Sequence, residues 1–281
     1  MVLPILEASP PRPRLTARRV SALIPPHLAG GPPPVGRVHS AFARAFNIDL
    51  GGGRLLAIHG PGPLRAPFAV ALAEPPAPPP PAVGTEVTMR RQGLAIGGWL
   101  IDLEAAERVD VRLTPAPPGA GPRGLGAVID DIAAMVTAGP LRRPVARASL
   151  ALEAAIERRD GGAFIRASLG LIGLGEGLTP AGDDILVGAL AALHRFAPEW
   201  LAEHPGIGAE LAAAGRTTTP IARDFLEHAL AGAFSELVLD VVAAPTAEAA
   251  RALARRLLGF GATSGGDTLA GLQLALRALS V

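Results

Sequence analysis

The chain contains no cysteine, no tyrosine and no lysine. Without cysteine there is no disulfide, no thiol nucleophile and no thiolate ligand for zinc or an iron–sulfur cluster. Without lysine, all 26 basic residues are arginine, and no phosphate loop of the NTPase type can form. Arginine-only usage amid abundant Ala, Gly and Pro is what a GC-rich coding bias produces, with a small lean toward bidentate anion recognition. A surplus of either charge is also missing: 26 basic residues face 25 acidic ones, for a net charge of +1. A nucleic-acid binder shows a basic excess clustered on one face, so no nucleic-acid partner is expected.

Long apolar runs are scarce as well. The longest worth testing, Ile185 to Leu193, is bounded by Asp184 and His194 and falls far short of the ~20 residues that span a bilayer. Met1 to Leu6 is too short for a signal peptide, and Arg12, Arg14, Arg18 and Arg19 follow it rather than precede it. A soluble, cytoplasmic chain without a membrane partner is the expectation.

What is present makes a folded protein. The chain has 281 residues, of which 49 % are hydrophobic and 18 % charged. That is enough apolar surface to close a core and too little charge for a disordered chain. Gly (34) and Pro (29) are frequent but follow no repeat. The length fits one large domain or two modest ones.

The Pro-rich stretch 1–36 reads as an extended or loosely packed arm, with one short apolar element around Val20 to Ile24. Residues 37–115 read as a β-rich, mostly antiparallel domain. Its strands are expected from Val38 to Ile48, Arg54 to His59, Pro67 to Glu74, Glu86 to Arg91, Leu94 to Ile101 and Val109 to Leu113. Thr114 to Gly124 (TPAPPGAGPRG) is the best linker in the chain. Beyond it the apolar period becomes 3.6: Val128, Ile132 and Met135 share a face, as do Val145, Leu152 and Ile156. Further helices are expected over 183–196, 207–214, 220–231, 234–243, 246–258 and 267–279, making 125–281 all-helical. Strands first and helices after predict an α+β fold.

The most informative stretch is GLIGLGEGLTPAGDDILVG, Gly170 to Gly188. Thr179 suits an N-cap and Pro180 a first helical position. A glycine-rich loop entering a helix, with Gly177 and Gly182, can leave N–H groups free for an anion. Asp183 and Asp184 follow at once, about 100° apart on the helix, so one can meet a substrate or cation while the other orients.

A second start, GATSGGDTLAG from Gly261 to Gly271, aligns with Gly177 to Val187. The shared pattern G-x-T-x-x-G-D matches Gly177, Thr179, Gly182 and Asp183 to Gly261, Thr263, Gly266 and Asp267. Ser264 adds a hydroxyl. Two such helix starts suit one cleft. Between them, GRTTTP places Arg216 before the next helix, where Thr217, Thr218 and Thr219 offer hydroxyls and an N-cap; Arg216 with Thr217 is a credible carboxylate or phosphate clamp. The six histidines show no metal spacing, and no Ser stands in a nucleophile elbow. Catalysis would then rest on Asp183, Asp184 and Asp267, backbone dipoles and Arg216. Those three carboxylates are also the candidate ligands for a Mg²⁺ ion, and no organic cofactor is expected.

These blocks, with HSAFARAFNI in the β region, resemble a bacterial family of ~250–300 residues. Most of its members have no known function, and one branch is a subunit of oxamate carbamoyltransferase in allantoin (ureide) breakdown. The resemblance covers nearly the whole chain after about residue 36, with GLTPxGDD its most distinctive block. Where family members often carry Pro and Ser, this chain has Glu176 and Ala181. The resemblance implies a reaction at oxalurate or carbamoyl phosphate, with partner subunits. The expected function is therefore that of a carbamoyltransferase-like subunit acting on a small carbamoyl or carboxylate substrate with phosphate. The alternative is a non-catalytic small-anion-binding or assembly subunit.

Overall fold

The computed structural model describes residues 14–24, 35–76, 79–90, 93–135 and 143–281. The fold is α+β. Contacts divide the chain into two compact units. The first takes residues up to Gly52, then Leu56–Gly62 and Ala69–Val109; the second takes Gly53–Leu55, Pro63–Phe68 and Asp110–Val281.

The first unit is built on nine strands: β1 (Arg14–Ser21), β2 (Val35–Phe42), β3 (Ala45–Asp49), β4 (Leu55–His59), β5 (Ala69–Leu72), β6 (Glu86–Arg90), β7 (Gly93–Ile96), β8 (Trp99–Asp102) and β9 (Glu107–Val109). Their order is β5-β4-β3-β2-β6-β7-β8-β1-β9, and β5 also pairs with β1. Eight strands therefore close on themselves as a barrel, which removes the open edges of a flat sheet. The pairings of β1 with β8 and β9, and of β4 with β5, are parallel; β1–β5, β2–β3, β2–β6, β6–β7 and β7–β8 are antiparallel. The two-residue period shows in β3, where Phe46 and Ile48 are buried between half-buried neighbours, and in β6, where Val87 and Met89 are buried between exposed Glu86, half-buried Thr88 and exposed Arg90. With Val38, Leu56, Ile58, Val70, Leu94 and Ile101 they form the barrel core.

Four expectations need correction here. The run Val38 to Ile48 is not one strand but two, β2 and β3, paired antiparallel across a turn at residues 43–44. Arg14–Ser21 is a paired strand rather than part of a loose arm; the residues before it and residues 25–34 lie outside the described ones. The run Leu94 to Ile101 is two strands, because Gly97 (φ 53°) allows a turn that a side chain would resist. The last strand is β9 rather than Val109 to Leu113. Arg112 instead bridges antiparallel to Ala233 in the helical unit, with Leu113 N–H donating to Gly232 and Phe234 N–H to Val111.

The helical unit contains α1 (Arg123–Met135), α2 (Arg143–Glu157), α3 (Gly161–Leu169), α4 (Ala181–Phe196), α5 (Pro198–Glu203) and α6 (Gly206–Ala214). After a 3₁₀ turn (Gly215–Thr217) come α7 (Pro220–Leu230), α8 (Glu236–Val242), α9 (Ala247–Leu258) and α10 (Ser264–Ala278). Each helix expected from the periodicity is present; α3 and α5 are additional. Helix α4 is buried without a break from Gly182 to Leu193, as a helix surrounded by others must be. It crosses α10 at a backbone-to-backbone contact. A Cβ on Gly188 would fall 2.0 Å from the Thr268 carbonyl oxygen, and one on Gly271 would fall 2.0 Å from that of Ile185. Only glycine admits this approach.

Candidate functional site

The α4–α10 crossing relates the two helix starts by an offset of 83 residues. Gly188 and Gly271 exchange equivalent contacts, to Thr268 and Ile185. The helices begin at Ala181 and Ser264. Just inside each start stands another tight glycine: a Cβ on Gly182 would lie 2.0 Å from the Leu171 carbonyl oxygen, and one on Gly265 would lie 1.8 Å from that of Leu257. Each also donates its N–H to a carbonyl of the preceding segment, Gly182 to Leu174 and Gly265 to Phe260, at 2.9 and 3.0 Å. The structural pattern is therefore G-x-D-x-x-x-G, shifted by one residue from the sequence alignment. Asp184, not Asp183, is the counterpart of Asp267, and Gly265, not Gly266, is the counterpart of Gly182.

The two starts meet directly. The hydroxyls of Thr179 and Ser264 lie 2.6 Å apart. Neither helix has a side chain capping its first N–H groups, since Pro180 and Thr263 at the cap positions make no such bond. The expected free N–H of Gly182, however, is already engaged by Leu174, so this glycine serves close packing. Gly177 (φ 94°) is an exposed bend of the entering loop, and Gly266 is half-buried beside Asp267.

The three carboxyl groups differ in environment. Asp183 is buried and turned back onto its own loop. Its oxygens accept from Gly173 N–H at 3.1 and 3.3 Å and from the Thr218 hydroxyl at 2.7 Å. Burial raises its pKa and these donors lower it. It is a structural clasp between the 170s loop and the start of α7.

Asp184 is 6 % exposed, and its Oδ2 has no hydrogen-bond partner. It lines a small pocket with Phe225, Phe234, Ser235, Phe260 and Thr268 among its walls. Desolvation by this mainly apolar lining pushes its pKa up to about 8. The Ser264 and Thr179 hydroxyls pull it down, and the charges of Asp267 and Asp183 push it further up. Asp267 is half-buried; its Oδ2 too is buried without a partner. Its pKa is raised by burial and lowered by the Thr263 hydroxyl.

The other expected residues lie apart from this cluster. Arg216 is exposed in the 3₁₀ turn, and the Thr217 hydroxyl donates to Ala214 at 2.8 Å. In GRTTTP it is Thr218 that reaches Asp183, while Thr219 caps α7 by accepting from Ala222 N–H at 3.1 Å. Among the described residues no group of three or more His, Asp or Glu side chains is arranged to hold a metal ion. With the Asp183 oxygens engaged by Gly173 and Thr218, the residues present do not fit a three-carboxylate Mg²⁺ site.

Residue-by-residue reading also missed Asp224, 1 % exposed on α7. Its Oδ2 accepts from Leu55 N–H at 2.7 Å. Burial raises its pKa to about 6, against the opposing pull of that N–H, His228 and Arg223. Nothing in the local sequence around Asp224 distinguishes it from a solvated helix residue.

Comparison with known families decides what this helical unit belongs to. The family model described as oxamate carbamoyltransferase subunit AllH matches residues 171–276, and the AllH family N-terminal domain matches residues 16–108. The chain belongs to the AllH family. The first match begins at Leu171, against which Gly182 packs, and spans both helix starts. The second covers most of the barrel strands. The family's description is that of a subunit, one chain among partners. No curated protein and no solved structure matches the chain. None of the described helices is long and apolar enough to cross a membrane.

Proposed function

We propose that this AllH chain is the subunit of an oxamate carbamoyltransferase that holds the small carbamoyl substrate at the paired starts of α4 and α10. In the phosphorolytic direction a phosphate oxygen attacks the carbamoyl carbon of oxalurate, the C–N bond breaks, and the departing oxamate nitrogen takes up a proton. Asp184 has the character this step requires: a carboxyl with a pKa near 8 keeps its proton at neutral pH and can return to that state after each turnover. In the opposite direction the same group accepts the proton of the attacking amide. The N-terminal ends of the two helices add their positive dipole ends near the developing oxyanion and the substrate carboxylate.

The observation that carries this reading is the buried, unpartnered Oδ2 of Asp184 between two helix starts that touch through Thr179 and Ser264. Native proteins rarely leave such an oxygen open without a use. The test is oxalurate phosphorolysis by the chain mixed with candidate partner subunits, followed as carbamoyl phosphate formed. Asp184→Asn is expected to reduce kcat by at least about 100-fold, as loss of a general acid does. Full activity in that variant would refute the assignment. Substrate binding with no turnover in any combination of subunits would leave the chain as the non-catalytic, anion-binding member of the assembly.

A further inference from the structure

In sequence, Pro63–Phe68 lies between β4 and β5, yet its contacts assign it to the helical unit. The segment grips that unit at two points. Leu64 is fully buried and forms a reciprocal pair with the start of α8. Its N–H donates to Glu236 Oε2 at 2.6 Å, and Glu236 N–H donates to the Leu64 carbonyl at 2.9 Å. Phe68, also buried, meets the Phe225 ring edge-on with centroids 5.1 Å apart, and tilts against His228 at 5.3 Å.

Both points bear on the wall of the Asp184 pocket. Phe225, which Phe68 braces, lines that pocket. So does Ser235, which precedes Glu236 and caps α8. No residue of Pro63–Phe68 lines the pocket itself. The charges that act on Asp184 are those of Asp267 and Asp183, which stand on α10 and α4. The segment therefore reaches Asp184 through the wall, by fixing how closely Phe225 and Ser235 shut over the carboxyl. A wall that keeps water out favours the protonated carboxyl, and a wall that opens favours the carboxylate. An edge-on ring pair holds its members in a set geometry, and a buried N–H that loses its acceptor drives the segment away from α8.

We infer that Leu64, Phe68 and Glu236 are positioning residues for Asp184, forming a strap that holds Phe225 and the start of α8 closed over its pocket. For its chemical consequence this assignment rests on the functional reading above, which it deepens. The stretch matched by the family's N-terminal domain, residues 16–108, then supplies a support of the site without lining it.

The experiment is an NMR titration of the Asp184 carboxyl in the full chain carrying ¹³C-labelled aspartate, with Asp184→Asn identifying its resonance. Phe68→Leu keeps an apolar side chain but removes the ring, and Glu236→Ala removes the acceptor. Each is expected to lower the Asp184 midpoint by about one pH unit as water enters. Glu236→Gln retains a carbonyl acceptor for Leu64 N–H and should restore the parent midpoint. Phe164→Leu is the control: that ring is buried, packs edge-on against Trp200 at 5.3 Å and does not line the pocket. It should lower the melting temperature and leave the midpoint in place. Thermal melts identify the folded variants, and the Glu236 pair decides the matter should Phe68→Leu fail to fold. An unchanged midpoint in the folded strap variants, or an equal shift in Phe164→Leu, overturns the inference. No substrate enters this measurement, so the two readings fail separately. Shifted midpoints in a chain that turns over no oxalurate with any partner keep the strap and remove the functional reading; turnover with unshifted midpoints does the reverse.

Discussion

The barrel and the helical unit differ in the polar groups they bury. In the barrel unit Ser21 and His59 are the polar side chains buried among the described residues, and both are bonded within their own turns. The Ser21 hydroxyl accepts from Leu23 N–H at 3.2 Å, and the His59 ring bonds the Gly60 carbonyl at 2.7 Å. The helical unit buries Asp183, Asp184 and Asp224. It spans Asp183 and Asp224 with hydrogen bonds and leaves one oxygen of Asp184 open. A closed sheet over an apolar core is a structure optimised for its own stability. A core helix that starts with an unsatisfied carboxyl gives up stability for something else, and such sites are where function is expected.

That contrast can be broken most severely at the helix crossing. Gly188→Ala puts a methyl group where the Thr268 carbonyl oxygen stands, forcing α4 and α10 apart. A loss of about 3 kcal/mol or more in denaturant unfolding is expected, together with loss of oxamate binding. In the barrel unit, Gly98→Ala meets nothing within 4 Å and should stay within about 0.5 kcal/mol of the parent.

The next largest effect is expected at Asp224. Asp224→Ala leaves the buried Leu55 N–H without its acceptor, which should cost about 1–3 kcal/mol in the same titration. An unchanged midpoint would mean that water replaces the carboxylate.

Asp184 should act in the opposite direction. Its folded pKa, near 8, lies above its ordinary value of 3.8, so the folded state holds the proton more tightly than the unfolded chain. The resulting stabilisation is complete below pH ~4 and is lost as pH rises toward and through 8. Asp224, raised to about 6, adds a loss of the same sign at lower pH. Melting temperature should therefore fall from pH 5 to pH 9. Asp184→Asn should flatten the upper part of that fall and gain about 1 kcal/mol at pH 8.5 while losing activity. If the variant is instead destabilised at every pH, Asp184 is a structural residue and the contrast between the two units loses its functional meaning.

The smallest effect belongs to Arg216. It is exposed, and Arg216→Ala should change stability by less than about 0.5 kcal/mol. A marked loss of phosphate affinity in that variant would restore the anion clamp read from the sequence.

The α+β order was legible because period two and period 3.6 occupy separate halves of the chain. Barrel closure was not, since it depends on β1 pairing with β5 across about 50 residues. The same limit applies to the site. Glycine-rich loops and acidic helix starts announced α4 and α10, and their meeting at Thr179 and Ser264 followed from the repeat. Their register did not: sequence identity aligned Asp183 with Asp267, whereas backbone contact at Gly188 and Gly271 aligns Asp184 with it. Three successive threonines offered equivalent hydroxyls, and only the turn geometry assigns Thr218 to Asp183 and Thr219 to the cap of α7.

The glycine crossing has an evolutionary consequence. Where helices are spaced by side chains, each change in core volume moves them, and a site at their ends drifts with the packing. Here the spacing of α4 and α10 is set by carbonyl oxygens against Cα atoms, parts that mutation cannot resize. The surrounding core can exchange one apolar residue for another while the distance between the two starts is preserved. Descendants of this chain are therefore free to diverge widely in sequence around a site whose dimensions stay constant.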